Sequence, residues 1–380
     1  MKYFSLFSGV GGFELGIHNA YDVLNRHQTS KKKQKTSENI RGADVLTDSE
    51  LLQRTPTCIG FSEIDKYATQ IYQKHFPDHK NFHDITKIQA DTLPDFDLLV
   101  GGFPCQAFSI AGKRRGFDDT RGTLFFDIAR ILKSKKPRNF VLENVKGLLS
   151  HDNGRTFATI ITTLTELGYC VEWQVINSKN HGVPQNRERV IIVGHLGGVP
   201  EREVFPLREN PTADIVLPTL TTRYYGGQAN GGYIGNKSEL KQIKGGSQGE
   251  RVYDPSGIST TIASQAGGLG AKTGLYAIPV LTPDRIEKRQ NGRRFKTNGE
   301  PSFTLNTQDK HGIYDGMKIR RLTPTECERL QGFPDGWTVK GINEKGEEVV
   351  ISDSQRYKTL GNAVTTNVVE AIVRELFDLK

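Results

Sequence analysis

The sequence lacks the features that mark membrane, secreted and metal-binding proteins. Its 380 residues contain four cysteines, Cys58, Cys105, Cys170 and Cys327, which form neither a disulfide framework nor a Cys-x-x-Cys metal pattern. No apolar run approaches membrane length, and the first residues show no signal-peptide cleavage pattern. We therefore expect a cytoplasmic protein without a bound metal ion, long enough to fold as two domains.

Two common nucleotide-binding patterns are also missing from the first glycine-rich turn. Gly9, Gly11 and Gly12 are not followed by Lys-Ser/Thr, which disfavours a P-loop, and they do not have the G-x-G-x-x-G spacing of nicotinamide enzymes. What is present is a predicted strand over Tyr3–Phe7, then the turn, then a predicted helix. In this arrangement backbone amides can approach a bound group closely.

Acidic residues follow the next predicted strands. Glu63 comes directly after a strand predicted over 57–62, and Asp84 lies at the end of a third segment, residues 81–85. Carboxylates at the ends of successive strands can bind ribose hydroxyls and an adenine amino group, although both could also be solvated loop acids. The pattern favours an adenosine-containing ligand.

A reactive stretch lies in the middle of the chain. Residues 96–100 predict a buried strand that we expect to end at Gly101-Gly102, so that Cys105 emerges at the edge of the sheet. Its thiol is a candidate nucleophile, and the alternative is an ordinary buried cysteine. A second buried strand, predicted over 139–145, carries Glu143, a partly desolvated carboxylate suited to proton transfer.

Basic residues surround this stretch, in a chain whose formal charge is +8. A glycine-rich loop with Ser109 and the run Lys113, Arg114 and Arg115 follows Cys105, and we interpret it as a closing loop, with a solvated surface loop as the alternative. The periodicity then predicts a helix through residues 124–132. Strands predicted over 171–176 and 190–193 flank Arg187 and Arg189, which we expect to face one side.

The last third is rich in glycine and threonine and contains a weak repeat. Thr219-Leu220, Thr261-Ile262 and Thr304-Leu305 recur in three related β segments that could read base edges. Arg293 and Arg294 belong to a basic cluster suited to phosphate. Thr323–Glu326 predicts a capping box at the start of a helix, and residues 367–377 predict an apolar-striped helix that returns to the sheet.

Five motifs together resemble the DNA (cytosine-5)-methyltransferase family. They occur in that family's usual order and are Phe7–Gly12, Pro104-Cys105-Gln106, Glu143-Asn144-Val145, the Gln-x-Arg-x-Arg of Gln185, Arg187 and Arg189, and Gly361–Val364. The resemblance spans the chain apart from residues 26–54 and the variable region. One departure is His83, where the family commonly has glycine before the aspartate.

The resemblance implies a doubly wound, mostly parallel α/β sheet of the Rossmann-like methyltransferase type, with a smaller β-rich target-recognition domain. It implies transfer of a methyl group from S-adenosylmethionine to carbon 5 of a flipped-out cytosine in double-stranded DNA, through a covalent Cys105 adduct and with S-adenosylhomocysteine as product. Together with the positions above, it assigns the following roles: catalytic Cys105, Glu143, Arg187 and Arg189; cofactor-binding Phe7, Gly9, Val10, Gly11, Gly12, Glu63, Ile64, Asp84, Ile85, Pro104, Leu124, Asn362 and Val364; DNA-binding Ser109, Lys113, Arg114, Arg115, Gln185, Thr261, Thr304, Arg293 and Arg294.

The expected domains are a catalytic domain over 1–198 with a basic insertion at 26–54, a target-recognition domain over 199–320, a hinge region over 321–353, and a return to the catalytic domain over 354–380. We expect a monomer associated with the nucleoid through DNA, and any cognate restriction endonuclease is expected as a genetic partner only. Three alternatives stay open: an RNA cytosine-5 methyltransferase, a DNA-binding regulator with a vestigial cofactor fold, and a nicotinamide oxidoreductase, which the missing glycine pattern disfavours.

Overall fold

A computed structural model describes residues 1–22, 55–104, 124–198, 203–207, 242–244, 252–253, 278–281, 295–296, 300–306, 310–314 and 319–379. Within these ranges, no helix is both long enough and apolar enough to span a bilayer. The predicted basic insertion, most of the loop after Cys105 and most of the repeat region lie outside them.

A six-stranded sheet organises the first half of the chain. Its strands are β1 (Lys2–Leu6), β2 (Thr57–Ser62), β3 (Leu98–Gly102), β4 (Asn139–Val145), β5 (Tyr169–Asn177) and β6 (Glu188–Leu196). The order across the sheet is β2-β1-β3-β4-β6-β5. Strand β6 runs antiparallel to both of its neighbours and the other pairings are parallel, so the sheet is mostly parallel as predicted.

Helices cover both faces of this sheet because successive strand residues point to opposite sides. Phe4 and Leu99 pack on one face, while Tyr3 and Leu98 pack on the other. The helices are α1 (12–22), α2 (Lys66–His75), α3 (Leu124–Lys135), α4 (Arg155–Glu166), α5 (Pro324–Leu330), α6 (Asp353–Asn362) and α7 (Thr366–Leu376). Short 3-10 turns occupy Ile85–Lys87, Ala90–Thr92, Lys146–Leu149, His151–Gly154 and Ser178–Asn180. The doubly wound α/β prediction is confirmed.

Two predicted strand boundaries are wrong. Strand β3 continues through Gly101 and Gly102, because a side chain at Gly101 would place its Cβ 2.9 Å from the carbonyl oxygen of Leu6, and glycine allows this close strand approach. The third strand predicted before Asp84 does not form. His83 has a φ of +54°, which breaks the extended run, and only an isolated bridge joins Asn81 to Phe61.

The described pieces between 242 and 321 contain short strands. They are β7 (Gln242–Lys244) paired with β8 (Val252–Tyr253), and a three-stranded antiparallel sheet of β9 (Ile278–Leu281), β10 (His311–Tyr314) and β11 (Ile319–Arg321). A hairpin of β12 (Lys340–Ile342) and β13 (Glu348–Val350) follows α5. These strands agree with the predicted β-rich region, and its boundaries stay predictions.

The carboxyl-terminal helices return to the sheet, as the sequence pattern predicts. Val369 and Ile372 of α7 are buried against the same face as Tyr3 and Leu98. The capping box at the start of α5 is also confirmed, since Thr323 and Glu326 exchange side-chain to backbone hydrogen bonds. The chain therefore closes on the edge of the sheet that carries the predicted ligand residues.

Candidate active site

The glycine turn after β1 faces open space. Gly9 and Gly11 have φ values of +57° and +88°, a region that favours glycine. A Cβ added at Gly9 would meet no heavy atom within 4 Å, whereas one at Gly12 would lie 2.8 Å from Cγ1 of Val364. The turn is thus packed against the carboxyl-terminal segment on one side and open to a ligand on the other.

Main-chain amides hold the Glu63 carboxylate beside this turn. Oε2 accepts from the Gly9 amide at 2.9 Å, and Oε1 accepts from the Ile64 and Asp65 amides at 2.9 and 2.7 Å. Burial raises the pKa of Glu63, and the hydrogen bonds from the Asp65 and Gly9 amides oppose that rise. The side chain of Ile64 is 75% exposed next to this fixed carboxylate. A fixed acceptor beside an apolar surface suits a nucleoside.

Asp84 lies half-buried at the start of the Ile85–Lys87 turn. Its Oδ1 accepts from the Thr86 amide and hydroxyl at 3.0 and 2.8 Å, and these hydrogen bonds lower the pKa of Asp84. His83 adopts the left-handed conformation that glycine reaches at no cost, and Ser62 donates to its carbonyl oxygen at 2.5 Å. The Ile85 side chain is buried in the core.

The carboxyl-terminal segment completes this edge. Asn362 is exposed and Val364 is half-buried above the glycine turn. The indole of Trp337 donates to the carbonyl oxygen of Val10 at 2.9 Å and stacks on His75 with ring centroids 3.5 Å apart. Our sequence reasoning missed Trp337, and the only available signal was the rarity of tryptophan, of which the chain has two.

The reactive edge lies where β3 and β4 end. Gly102 and Glu143 are paired residues of these strands. The Glu143 carboxylate forms an ion pair with Arg189 of β6, with Oε1 2.8 Å from Nε, and the two side chains are only 13% and 16% exposed. The chain leaving β3 passes this pair and reaches Pro104, which is exposed; Cys105 lies outside the described residues.

Asn144, next to Glu143, holds the segment that leads to Cys105. Its side chain is buried, and Nδ2 donates to the Phe103 carbonyl oxygen at 2.8 Å, while Oδ1 accepts from the Val145 amide at 2.8 Å. The asparagine was part of the quoted Glu-Asn-Val motif but had no role in our sequence reasoning. It fixes the distance between the end of β3 and the Glu143 strand.

Arg187 is buried two residues before Arg189. It is 2% exposed and donates to the carbonyl oxygens of Leu305 and Ala363 at 2.8 and 2.7 Å, and to that of Gly361 at 3.5 Å. Burial lowers the pKa of Arg187, Arg189 acts in the same direction, and Glu143 opposes both. The hydrogen bonds join strand β6 to distant segments, so the geometry suits a positioning role better than contact with substrate.

Gln185 is also fully buried, with both ends of its amide in use. Nε2 donates to the Leu330 carbonyl oxygen at 2.7 Å and Oε1 accepts from the Leu305 amide at 2.8 Å. The structure therefore gives this side chain no surface for the DNA contact that the sequence predicted. Thr304 lies beside it and is half-buried. The other predicted DNA-binding residues lie outside the described ranges: Ser109, Lys113, Arg114, Arg115, Thr261, Arg293 and Arg294.

Of the remaining predicted cofactor residues, Phe7 and Leu124 are half-buried and Val10 is buried. Phe7, like His83, has a positive φ, of +53°. Across the part of the chain that the structure describes, no group of three His, Cys, Asp or Glu side chains could hold a metal ion. The site thus consists of an amide-lined cradle at β1 and β2 and a charged pair at β4 and β6.

Comparison with known proteins covers the whole chain. A family model described as C-5 cytosine-specific DNA methylase matches residues 1–378. The orphan methyltransferase M.SPRI of Bacillus phage SPR is 35% identical over 463 residues, covering 99% of this chain and 97% of that protein. The type II methyltransferase M.HhaI of Haemophilus parahaemolyticus is 32% identical over 386 residues, covering 98% of this chain and 93% of that protein.

Solved structures agree in fold. A protein described as a DNA modification methyltransferase encoded within an E. coli prophage superposes with a TM-score of 0.53 at 17% identity, covering 100% of this chain and 99% of the other. The S. pombe Dnmt2 methyltransferase gives 0.50 at 16% identity, covering 100% and 98%. At these identities the likeness shows the fold alone.

Proposed function

Since the chain belongs to the C-5 cytosine-specific DNA methylase family, we propose that it transfers a methyl group from S-adenosylmethionine to carbon 5 of cytosine within a specific sequence of double-stranded DNA. One observation carries the proposal. The Glu143–Arg189 pair is shielded from water at the end of β4, beside the strand whose continuation leads directly to Pro104-Cys105. A carboxyl and a guanidinium thus lie at the edge of the sheet from which the chain continues to Cys105, the residue that bears the thiol.

The chemistry requires these three groups because carbon 5 of cytosine is a poor nucleophile. Addition of the Cys105 thiolate to carbon 6 makes the ring an enamine whose carbon 5 can accept a methyl group. We propose that Glu143, in its protonated form, donates to ring N3 and accepts from the exocyclic amine, and that Arg189 donates to O2, so that charge is stabilised as it develops. Loss of the carbon 5 proton then expels the cysteine.

The cradle at β1 and β2 fits the implied cofactor. Gly9 leaves open space, Glu63 offers a fixed carboxylate, Ile64 offers an exposed apolar surface and Asp84 offers a half-buried acceptor. We propose that Glu63 binds the ribose hydroxyls and Asp84 the adenine amino group, with Asn362 and Val364 closing the site. When bound, S-adenosylmethionine supplies an electrophilic methyl group.

Cytosine carbons 5 and 6 are stacked inside a duplex, so we propose that the target base is flipped out, at a cost of a few kcal/mol. The basic run at 113–115 and Ser109 would hold the opened strand, while Thr261, Arg293 and Arg294 would contact duplex DNA. We propose that the chain acts as a monomer on DNA, and that any restriction endonuclease is a genetic partner only.

Methyl transfer and covalent capture test the proposal together. Purified protein is incubated with labelled cofactor and either duplex DNA or transfer RNA, and separately with duplex carrying 5-fluorocytosine. We expect labelling of DNA and a trapped adduct, both absent in Cys105→Ala and retained in the matched control Cys170→Ala, whose cysteine lies on the outer strand β5. Bisulfite sequencing of DNA from expressing cells then gives the site.

Two outcomes would overturn the proposal. Preference for transfer RNA would favour the RNA methyltransferase alternative, and undiminished labelling by Cys105→Ala would exclude the covalent mechanism. Cofactor-binding calorimetry separates both methyltransferases from the nicotinamide alternative, because a nicotinamide oxidoreductase would not bind S-adenosylmethionine. A protein that binds duplex DNA and the cofactor but forms no adduct would fit the regulator alternative instead.

A further inference from the structure

A segment of the predicted recognition region, residues 302–305, is joined along its length to residues 184–187. Ser302 donates its amide to the Pro184 carbonyl oxygen at 2.9 Å and accepts from the Asn186 amide at 3.0 Å. This is a parallel bridge between residues far apart in sequence. The segment therefore lies against the chain that leads directly into β6 and Arg189.

Leu305 is held at both of its main-chain groups. Its amide donates to Gln185 Oε1 and its carbonyl oxygen accepts from Arg187, both at 2.8 Å. The side chains of Gln185 and Arg187 that hold it are at most 2% exposed, and Leu305 itself is also buried. Arg187 also binds the carbonyl oxygen of Ala363, next to the proposed cofactor residues. Through Gln185 and Arg187, the 302–305 segment is thus connected to two parts of the site. One is the proposed cofactor edge, which is the cradle at β1 and β2 with the carboxyl-terminal segment that closes it, and the other is the reactive edge at β3 and β4.

Thr304 directs its hydroxyl into this junction. The hydroxyl donates to the Asn186 carbonyl oxygen at 2.5 Å, and the Asn186 side chain accepts from Asn177 Nδ2 at 2.6 Å. Asn177 in turn accepts from the Arg187 amide at 3.1 Å. A hydroxyl proton committed to a main-chain acceptor is not available to a base edge. The contacts of Thr304 are those of a residue that fixes the start of β6.

We propose that Thr304 is a positioning residue for the reaction: by holding residues 184–187, it sets the approach of Arg189 to Glu143, in place of the DNA contact predicted from the sequence. The inference rests on the proposed function, since Glu143 and Arg189 act on the target base there. A displacement of residues 302–305 would reach the ion pair through their hydrogen bonds to residues 184–187.

Thr304→Val tests the inference, because it removes the hydroxyl and keeps the shape. Under single-turnover conditions on cognate duplex we expect the methyl-transfer rate to fall about three- to tenfold, the loss of one hydrogen bond, with the DNA dissociation constant and the preference for the cognate sequence unchanged. Thr304→Ser keeps the hydroxyl and should restore the rate. Thr165→Val, whose exposed hydroxyl bonds Ile161 within α4, is the matched control.

A second measurement does not depend on turnover. The Arg189 Nε–H, bound to Glu143, should exchange slowly with water in the substrate-free protein, and its NMR signal is assigned by its loss in Arg189→Lys. We expect faster exchange in Thr304→Val and wild-type exchange in Thr304→Ser and Thr165→Val. Thermal unfolding of each variant shows whether the fold is retained.

The inference is wrong if Thr304→Val leaves both the rate and the exchange unchanged, or if it weakens DNA binding or sequence preference at a normal rate, which would return Thr304 to the base-reading residues. The wild-type protein tests the proposed function separately. If wild type methylates RNA and not duplex DNA, that function fails, while the exchange measurement still decides the role of Thr304.

Discussion

Glu63 and Glu143 occupy similar positions in the sheet, yet the structure holds them by different means. Glu63 follows β2 and is fixed by three main-chain amides, two of them its immediate neighbours. Glu143 lies at the end of β4 and is fixed by a guanidinium from β6, whose own start is held by buried side chains. The cofactor edge is built from the backbone and the reactive edge from side chains.

This difference has an energetic consequence. An amide keeps its position under almost any substitution of its own side chain, so the cofactor edge should tolerate mutation except at glycines and at Glu63 itself. A buried guanidinium is lost with a single substitution and leaves its acceptors without partners. The reactive edge should therefore be the fragile half of the site, and the predictions below test that contrast.

Removal of the Arg187 guanidinium should produce the largest effect. Arg187→Met keeps much of the volume but leaves the buried carbonyl oxygen of Leu305 without its donor and that of Ala363 with only the weak donor Gln331 Nε2 at 3.5 Å. We expect the free energy of unfolding, measured in urea, to fall by about 3–5 kcal/mol, because each buried acceptor that loses its donor costs about 1–3 kcal/mol. The control Arg155→Met removes an exposed arginine paired with Asp152 and should leave the free energy of unfolding nearly unchanged. Equal losses in the two variants would contradict the contrast.

Glu14 provides a test behind the cofactor edge, on α1. Burial is the main cause that raises the pKa of Glu14 from 4.5 to about 7, with the Tyr72 hydroxyl donating to Oε1 at 3.0 Å. The folded state binds the Glu14 proton more tightly than the unfolded chain does. The contribution of Glu14 to the free energy of unfolding is therefore fully present below pH 4.5 and is lost as pH rises through about 7. At about 1.4 kcal/mol per pKa unit, the loss is about 3 kcal/mol.

Glu14→Gln should abolish this pH dependence while keeping the acceptor for Tyr72. We expect urea unfolding of both proteins at pH 5, 6, 7 and 8 to show that the stability of the variant rises relative to that of wild type, by about 2.5 kcal/mol between pH 5 and pH 8. Parallel stability profiles would show that the Glu14 carboxyl titrates normally. His18 and His79, which hydrogen-bond Tyr3 and Tyr72, are present in both proteins. Their contributions to the pH dependence therefore cancel when the two proteins are compared.

The strands and turns of the cofactor edge were predictable from the sequence, because they depend on local patterns. Short segments with several apolar residues predicted the strands that became β2 and β4, and the glycine turn predicted the cradle with its carboxylate at residue 63. The capping box likewise needs only four consecutive residues. Each of these features is encoded within one short stretch of chain, where spacing alone carries the information.

The side-chain junctions were not predictable, because their partners come from distant parts of the chain. Nothing near Arg187 in sequence indicates that it bonds Leu305 and Ala363, and its alternation with Arg189 suggested a shared substrate role instead. The burial of Gln185 has the same origin, since residues from α5 and the recognition region cover it. The extension of β3 through Gly102 depended on the close approach of a neighbouring strand.

Asn144 tests whether the reactive edge depends on one amide group. Asn144→Ala removes the donor to Phe103, and we expect an unfolding free energy lower by about 1–2 kcal/mol and a methyl-transfer rate lower by about tenfold, as the segment before Cys105 loses its anchor. Asn144→Asp keeps the acceptor for Val145 but places an oxygen against the Phe103 carbonyl, so its rate should be lower still. Single-turnover labelling measures both, and rates that rank Asp above Ala would contradict this role.

The smallest expected effect lies at Trp337, whose side chain contacts the glycine turn of the cofactor edge. Trp337→Phe keeps an aromatic ring against His75 but removes the donor to the Val10 carbonyl oxygen within the glycine turn. We expect calorimetry to show S-adenosylmethionine binding weakened about fivefold, about 1 kcal/mol, because the three main-chain hydrogen bonds to Glu63 persist.

Trp173→Phe, at a half-exposed tryptophan of β5, is the matched control and should bind the cofactor like wild type. The contrast between the cofactor edge and the reactive edge predicts that Trp337→Phe alters cofactor affinity and leaves the single-turnover rate at saturating cofactor unchanged. A rate loss at saturation would mean that the glycine turn transmits its position to the Glu143–Arg189 pair through the segment that Arg187 also binds. The two edges would then form one cooperative unit, and the separation between backbone-built and side-chain-built halves would fail.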